Sequence, residues 1–372
     1  MPDNRKRICF LLYNLDPGGL ETHLLRFIKY AGKDFQSVII VKKGVEGDLF
    51  QPFKEAGAEL FLIRTGYFNV GGWMKILKVF KRTRFYAICD FTSNFSGIYL
   101  VLAWLANIQI RLAYYGQSTH HFKPGLFRNA YDRFANYLVR KFATTIVFNS
   151  NAARQFFFPN LKQGANGPAY HIIYNGIDTG NFFMQSRNGG NIKQELGIPD
   201  DSFLVIHTGR YDEKKNHVAV IKLAEVLVEK FPFLYFILCG KGTEQLNEKM
   251  CAALRGRVFA LGYRTDVPAI LKQGNAFYFP SYTESQPNSL IEAMLMGLPF
   301  VASNIDPVKE AMPMGFHEQL VDPDDVQSAQ SKVEKIIEGK SVLDFKQLSN
   351  WAAKQYGAET RFEELKKVLL DR

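Results

Sequence analysis

The chain has 372 residues, of which 47% are hydrophobic, and a mean hydropathy of −0.13. That length suits two domains better than one core, and the composition excludes a disordered chain. The net charge is +10 and the pI is near 9.2. A basic surface favours anionic partners, and it does not distinguish among nucleotides, nucleic acid and an anionic membrane face.

The cysteines and the apolar runs indicate in which cellular compartment the protein is found. The four cysteines have no Cys-x-x-Cys spacing and predict buried free thiols in a reducing compartment; they are Cys9, Cys89, Cys239 and Cys251. The longest apolar stretch, residues 98–108, is about half as long as a membrane span requires. The first apolar run ends at Leu15 and has no small-residue cleavage site. We therefore predict a cytoplasmic protein that is not threaded through a bilayer.

The first predicted element is a buried strand over residues 7–13, and a glycine loop follows it. Leu20 to Ala31 then has the period of a helix. Gly18 and Gly19 would let the backbone approach a ligand, and the start of a helix favours a diphosphate. A tight turn explains the glycine pair equally well.

Short apolar runs continue to alternate with helical patterns through the first half of the chain. This alternation predicts a parallel, doubly wound α/β sheet that binds ligands at the carboxyl edge of its strands. The further predicted strands are residues 37–41, 60–63, 86–91, 110–114 and 145–148.

Two histidines, His120 and His121, follow the strand that ends at Tyr114. They should therefore lie at the carboxyl edge of the sheet. Adjacent side chains on a regular element point in different directions, which argues against a pair of metal ligands. Hydrogen bonding of one histidine to a substrate and a plain loop both stay open.

Residues 125–142 have the pattern of an amphipathic helix. One stripe is apolar and the residues around it are basic; they are Phe127, Tyr131, Phe134 and Leu138, and Arg128, Arg133, Arg140 and Lys141. A core helix with a solvated basic face fits this pattern. Docking to an anionic membrane or to a lipid-linked phosphate fits it as well.

An Asn175-Gly176 turn closes a strand at Tyr174, and a run rich in Gly and Asn continues to Asn191. This shift to polar composition predicts a linker. We therefore place the first domain at residues 1–178 and the second at 179–351.

The second half begins again with a strand, residues 203–208, a basic loop and a helix from Val218. Arg210 and Lys215 lie in that loop, where the carboxyl end of a strand faces a ligand site. Both are positive charges that suit a diphosphate.

The next strand runs into Gly240-Lys241-Gly242, which matches only half of a dinucleotide fingerprint because Gln245 occupies the third glycine's place. We therefore expect no nicotinamide cofactor. Gly262, Tyr263 and Arg264 follow a strand and are candidates for contact with a nucleobase.

Asp322-Pro323-Asp324 has the form of an Asp-x-Asp metal motif. It lies in a polar turn, however, and Asp325 could cap the helix that follows. We interpret the segment as a turn and cap, and we expect no metal.

The segment from 276 to 299 predicts a buried strand, a loop and a helix, and it carries Glu284 and Glu292 eight positions apart. The helix start would bind a phosphate, and the carboxylates would accept hydrogen bonds from sugar hydroxyls. The alternative is a surface loop and a helix with two solvated glutamates.

These features together resemble the family 4 nucleotide-sugar glycosyltransferases, and among them the bacterial enzymes of exopolysaccharide, capsule and lipopolysaccharide assembly. The resemblance rests on Glu284 and Glu292, the Gly18-Gly19 pair, the Arg210 and Lys215 pair, and residues 175–178. It implies the GT-B fold, in which two Rossmann-like domains face each other. It also implies that the last helix, residues 352–372, crosses back to the first domain. Retention of anomeric configuration without a metal or cofactor is implied as well.

The resemblance also implies roles for single residues. Arg210, Lys215 and Glu284 would be catalytic, with the two cations on the diphosphate and Glu284 on the donor sugar. Glu292 would accept from the ribose hydroxyls. The remaining donor-binding residues would be Gly18, Gly19, Gly262, Tyr263, Arg264, Gln286, Asn288, Ser289 and Leu290.

The sequence departs from the family at one position. Many members carry a histidine where this chain has Gly116, so a sugar contact would fall to His120. We expect a transferase that uses a UDP- or GDP-linked sugar and a glycan or lipid-linked acceptor, with peripheral membrane contact through 125–142. A sugar-nucleotide epimerase or hydrolase stays open, and so does a non-catalytic protein that binds nucleotide sugar or nucleic acid. We expect no nucleic-acid partner, because no nucleic-acid module is recognisable.

Overall fold

The computed structural model describes residues 5–66, 69–116, 126–161, 167–248 and 250–370, without the side chains of Asn94 and residues 126–129. The chain divides into two compact units. The first unit runs to Gly176 and resumes at Ala358, and the second unit extends from Ile177 to Gly357.

The first unit is built on a parallel sheet with helices on both faces. In chain order its strands are Lys6–Leu12 (β1), Phe35–Val41 (β2), Glu59–Leu62 (β3), Ala87–Asp90 (β4), Ile110–Tyr115 (β5), Thr145–Phe148 (β6) and Ala169–Ile172 (β7). They lie side by side in the order β3-β2-β1-β4-β5-β6-β7. Alternate residues of β1 enter two separate apolar clusters, one on each face. Because both faces are covered, the strands are almost continuously hydrophobic.

The helices of this unit pack on those faces. They are Gly19–Ala31 (α1), Phe50–Glu55 (α2), Val70–Thr83 (α3), Gly97–Leu105 (α4), Leu126–Phe142 (α5) and Asn151–Phe157 (α6). Within the described part of the chain, no helix is both long and apolar enough to span a membrane.

The second unit repeats the same construction. Its strands are Phe203–Thr208 (β8), Leu234–Cys239 (β9), Val258–Ala260 (β10), Ala276–Phe279 (β11), Phe300–Ser303 (β12) and Leu320–Val321 (β13), and they lie in the order β10-β9-β8-β11-β12-β13. Its helices are Thr179–Asn188 (α7), Ile192–Leu196 (α8), His217–Lys230 (α9), Val267–Gln273 (α10), Asn288–Leu295 (α11), Asp306–Glu310 (α12), Val326–Ile337 (α13) and Phe345–Tyr356 (α14). The predicted parallel α/β architecture is confirmed in both units.

The last helix, Ala358–Leu370 (α15), belongs to the first unit, where Phe362, Leu365 and Leu369 enter the cluster beneath β1. The sequence pattern predicted one helix through this region, but Gly357 interrupts it with an extended ψ of 130°. The interruption lets the Ile177 N–H donate to the Tyr356 carbonyl at 2.8 Å. The C-terminal helix therefore starts at Ala358 rather than at residue 352.

Two further expectations were wrong in detail. The Gly- and Asn-rich run predicted as a linker is largely helix α7, because the Asp178 side chain caps it by accepting from the Asn181 N–H at 2.9 Å. Cys251 is exposed, whereas the other three cysteines are the buried free thiols that the sequence predicts.

Strand order reverses once in each sheet, between β1 and β4 in the first unit and between β8 and β11 in the second. In doubly wound sheets, ligands bind outside the carboxyl ends of the strands at such a switch point. The loops after β8 and β11 hold Arg210, Lys215 and Glu284. Topology therefore brings together candidates that lie about seventy residues apart in sequence.

Candidate functional site

The site candidates of the second unit centre on an ion pair that joins the two switch-point loops. The Lys215 Nζ donates to Glu284 Oε1 at 2.5 Å. The side chains are 22% and 11% exposed, so the pair lies at a surface that a ligand can reach. Lys215 Nζ also lies 5.5 Å from the centre of the Phe279 ring, at the end of β11. A cation and a carboxylate in contact offer adjacent positions for a phosphate and a sugar hydroxyl.

The loop after β8 is held by its own backbone and by a neighbouring loop. The Gly209 N–H donates to the Cys239 carbonyl at 2.8 Å, and the Tyr211 N–H donates to the Lys241 carbonyl at 3.0 Å. Between these two anchored residues, the Arg210 side chain is exposed. The loop therefore presents the Arg210 guanidinium from a fixed backbone, and the same loop carries Lys215.

The end of this loop depends on Asn216, which sequence reasoning did not select. Asn216 adopts a left-handed conformation, with φ of 51°, and its Oδ1 accepts from the Ala219 N–H at 3.2 Å. It thereby caps α9 while it reverses the chain after Lys215. The Lys-Lys-Asn-His sequence carries the signal, because Asn is the residue that combines a left-handed backbone with a cap.

Helix α11 begins at Asn288, just after Pro287, and contains Glu292 one turn inside, as predicted. Its start leaves backbone N–H groups without helical acceptors, and the helix dipole favours an anion there. The Asn288 Oδ1 is buried and has no hydrogen-bond partner in the described chain. Leu290 is fully buried, so its predicted role in donor binding can come only from the backbone.

The other predicted residues around this helix are accessible to different degrees. Gln286 is buried, whereas Ser289 and Glu292 are half-buried. The buried residues of α11 hold the helix on the sheet; they are Leu290, Ile291, Ala293, Met294 and Leu295. The half-buried Glu292 therefore sits on a firmly packed helix.

Gly262 lies where β10 ends and has the left-handed φ of +71° that favours glycine. A Cβ atom there would lie 2.8 Å from Glu244 Oε2. The Gly262 N–H donates to Thr243 Oγ1 at 3.0 Å, and its carbonyl accepts from the Gly240 N–H at 2.7 Å. Tyr263, the next residue, is exposed at this edge of the sheet.

Arg264 has partners that the sequence did not predict. Its guanidinium donates to both carboxylate oxygens of Glu195, at 2.6 and 2.9 Å, and to both oxygens of Asp266, at 2.8 and 2.7 Å. These hydrogen bonds raise the pKa of Arg264. The structure thus gives Arg264 a place in a carboxylate cluster that ties α8 to the start of α10.

Two buried histidines lie behind the basic loop. The rings of His207 and His217 are 4.8 Å apart, and His207 Nδ1 lies 3.0 Å from the Tyr278 carbonyl oxygen. Burial lowers the pKa of His207 to about 3 and lowers that of His217. Both rings are therefore neutral at pH 7, and the charge at this edge comes from Arg210 and Lys215.

The first unit places Gly18 and Gly19 at its own switch point, where β1 leads into α1. Gly18 precedes the helix with extended backbone, and a Cβ atom there would lie 2.4 Å from Glu21 Oε2. A Cβ atom at Gly116 would lie 2.1 Å from Leu20 Cδ2. Leu20 thus fills the space beside Gly116 that a larger residue would need. His120 and His121 lie outside the described residues.

Comparison with known proteins supports the interpretation of both units. Residues 17–181 match the model described as Glycosyltransferase Family 4, and residues 190–356 match the model described as Glycosyl transferases group 1. The two models follow one another and together cover most of the chain.

Curated relatives carry related names. The chain is 28% identical over 210 residues to the UDP-Gal:alpha-D-GlcNAc-diphosphoundecaprenol alpha-1,3-galactosyltransferase of Escherichia coli, and the match covers 54% of each chain. It therefore spans only about half the length of that relative. It is 23% identical over 307 residues to the capsular polysaccharide biosynthesis glycosyltransferase CapH of Staphylococcus aureus, covering 80% of this chain and 81% of CapH.

A solved structure shares the fold over nearly the whole length. The chain matches Anabaena HepE, determined in complex with UDP, with a TM-score of 0.80 and 21% identity, covering 98% of this chain and 99% of HepE. Two doubly wound units, two consecutive family models and this likeness lead to the same assignment. This chain belongs to the family 4 glycosyltransferases of the GT-B fold.

Proposed function

We propose that this glycosyltransferase takes a sugar from a nucleoside diphosphate sugar and transfers it to a glycan or lipid-linked acceptor during synthesis of a cell-surface polysaccharide. The observation that carries the proposal is the contact of Lys215 with Glu284 at the switch point of the second unit. HepE was solved with UDP, and the curated relatives are named for transfer to a diphosphoundecaprenol-linked sugar and for capsule synthesis.

The chemistry follows from where charge develops. As the bond between the sugar and the diphosphate breaks, negative charge grows on the leaving phosphate. Arg210, Lys215 and the start of α11 would stabilise that charge, so they favour the transition state over the bound donor. Glu284 would accept from hydroxyls of the donor sugar, and Glu292 from those of the ribose. Their roles are to bind and orient rather than to attack.

We also propose that transfer retains the anomeric configuration and needs no metal or other cofactor. In this mechanism the acceptor hydroxyl attacks from the face that the diphosphate leaves, and the leaving phosphate takes its proton. The fixed cations Arg210 and Lys215 support this proposal, because they supply positive charge at the diphosphate.

A panel of UDP- and GDP-linked sugars tests the donor half. A ligand present at about a hundred times its dissociation constant stabilises a protein by roughly 2.7 kcal/mol, which a thermal-shift experiment detects. Incubation with the polyprenyl-linked glycans extracted from the source cells should then give a labelled product. NMR of the new linkage should show the donor's anomeric configuration. The rate of transfer should be the same with and without EDTA. Epimerisation, or hydrolysis without acceptor at the full rate, would contradict a transferase.

The acceptor's lipid would bring the protein to a membrane face, and helix α5 supports such a contact. The predicted apolar stripe does not face the core as a whole, since its Phe134 is 58% exposed. Tyr137, which was not part of that stripe, is 55% exposed on the same helix. The buried side is formed by Asp132, Ala135 and Val139 instead, because the helix is rotated relative to the predicted stripe. Aromatic rings that face solvent among basic residues favour an anionic bilayer surface.

Vesicle flotation tests this membrane contact. We expect binding to vesicles of phosphatidylglycerol and phosphatidylcholine, no binding to pure phosphatidylcholine, and loss of binding in the Phe134→Ser/Tyr137→Ser variant. Phe233→Ser removes an exposed ring from the second unit and is the matched control. Equal flotation of both variants would remove α5 from the proposal.

A further inference from the structure

The Asp-x-Asp sequence after β13 forms a compact turn, Asp322–Asp325, that is built by its own carboxylates. Asp322 Oδ1 accepts from the Asp324 N–H at 2.9 Å. Asp325 Oδ1 accepts from the Ser328 N–H at 2.9 Å and so caps α13. The first and last carboxylates of the turn are thus used to shape it. Asp324 and the Pro323 carbonyl project from it toward other parts of the unit.

The Pro323 carbonyl is bound by the loop that carries Lys215. Asn216 Nδ2 donates to it at 2.9 Å. Asn216 is buried, and its Oδ1 caps α9, so the side chain is fixed at both ends. This contact fixes the residue that follows Lys215 against the Asp322–Asp325 turn.

Asp324 is bound by the loop that carries Glu284. The Tyr282 hydroxyl donates to Asp324 Oδ1 at 2.5 Å, and this hydrogen bond raises the pKa of Tyr282. The Tyr282 N–H also donates to the Lys214 carbonyl at 2.8 Å. The two switch-point loops are therefore joined to each other and to the same turn, on the side away from β9.

We propose that the Asp322–Asp325 turn is a brace that sets the distance between Lys215 and Glu284, with Tyr282, Asp324 and Asn216 as positioning residues. The inference rests on the proposed function. Ion pairs at an accessible surface hold their geometry weakly, because water and side-chain motion compete with them. Hydrogen bonds from both loops to one turn fix the backbone positions of the cation and the carboxylate, which a diphosphate sugar needs together.

Calorimetric titration with nucleotides of different length tests the brace. Tyr282→Phe and Asp324→Ala should each raise the Kd for the diphosphate, UDP or GDP, roughly threefold to tenfold, the range that one lost hydrogen bond gives. The double variant should be no weaker than the weaker single variant, because both changes remove the same bond. The Kd for the matching monophosphate should change by less than about twofold, because it depends less on Lys215.

The chain offers a matched control in the first unit. The Tyr30 hydroxyl donates to Glu363 Oε1 at 3.0 Å, so Tyr30→Phe removes a similar exposed phenol–carboxylate bond. It should leave both affinities unchanged. Wild-type protein that binds neither UDP nor GDP would contradict the proposed function itself. Two outcomes would overturn the brace alone, provided that the wild type binds the nucleotide. One is an unchanged Kd for the diphosphate in the variants, and the other is an equal rise of the Kd for monophosphate and diphosphate.

Discussion

Each unit carries a lysine–carboxylate pair at the carboxyl ends of its strands, and the two pairs differ in burial. In the first unit Lys42, after β2, donates to Asp90 of β4 at 2.6 Å, and the side chains are 4% and 0% exposed. In the second unit the Lys215 and Glu284 side chains are 22% and 11% exposed. The same type of contact therefore lies inside one unit and at the surface of the other.

The surroundings of the first pair explain the difference. Lys42 also donates to Thr92 Oγ1 at 2.6 Å and lies 3.7 Å from the centre of the Tyr99 ring. Asp90 Oδ1 accepts from both the N–H and the hydroxyl of Thr92, at 2.8 and 2.6 Å. Every strong hydrogen-bonding group of this pair is used within the protein. We infer that the buried pair stabilises the fold, whereas the Lys215–Glu284 pair serves a ligand.

Breaking the buried pair should give the largest loss of stability. Lys42→Met leaves the Asp90 carboxylate without its counter-ion, and such changes cost about 3–5 kcal/mol. Denaturant unfolding of the full chain measures the loss. The Lys42→Met/Asp90→Leu double variant should recover much of it, because no unpaired charge is left inside. A single variant as stable as the wild type would contradict the assigned role.

Lys215→Ala should reduce activity strongly and stability only slightly, in contrast to Lys42→Met. In the proposed mechanism it removes a charge that stabilises the transition state, and losses of about 10²–10³ in kcat are typical for such groups. The free energy of unfolding should fall by less than about 1 kcal/mol, because the pair is partly exposed. Transfer assays beside denaturant unfolding measure both effects. A variant that lost stability and kept its kcat would remove the distinction between the two pairs.

Each unit also has a buried histidine, and these two residues make the stability of the protein depend on pH. Burial lowers the pKa of both His23 and His207 to about 3. The unfolded chain binds these protons at higher pH, so the stabilisation is complete above pH 6.5 and is lost as the pH falls toward 3. His23→Phe removes the titrating group, so the free energy of unfolding should depend less on pH between 6.5 and 4. Phenylalanine suits the position because the His23 ring packs between Tyr114 and Phe362. Denaturant unfolding at several pH values checks this, and an unchanged slope would contradict it.

His207 should not tolerate the same exchange. Its Nδ1 lies within hydrogen-bonding distance of the Tyr278 carbonyl, so His207→Phe would leave that buried acceptor without a partner. His23 has no such contact, because neither ring nitrogen has a partner in the described chain. At pH 7 we expect His207→Phe to be less stable than His23→Phe by about 1–3 kcal/mol.

The sequence predicted the elements of the site better than their contacts. Strand, loop and helix around residues 276–295 follow from hydrophobic period and proline position, and the structure has them there. The contact of Lys215 with Glu284 could not be predicted from spacing, because only the strand order brings β8 beside β11. The pairing of Arg264 with Glu195 depends on the same long-range packing.

Other features were missed because their signals are local and ambiguous. Lys42 and Asp90 each close a buried strand, a place where a charge usually faces solvent, so nothing in the sequence marked them as a pair. Strand β12 was not predicted, because its short apolar run directly follows Pro299. Phe134 matched the period of the core stripe of α5 but faces solvent.

The central claim is that the switch point of the second unit binds the donor nucleotide. Calorimetric titration of the wild type and of Glu292→Ala with UDP and with GDP tests it most directly. We predict that one nucleotide binds the wild type and that the variant binds it at least about tenfold more weakly, through lost hydrogen bonds to a charged acceptor. Equal affinity of the two proteins for that nucleotide, with both folded, would contradict the claim.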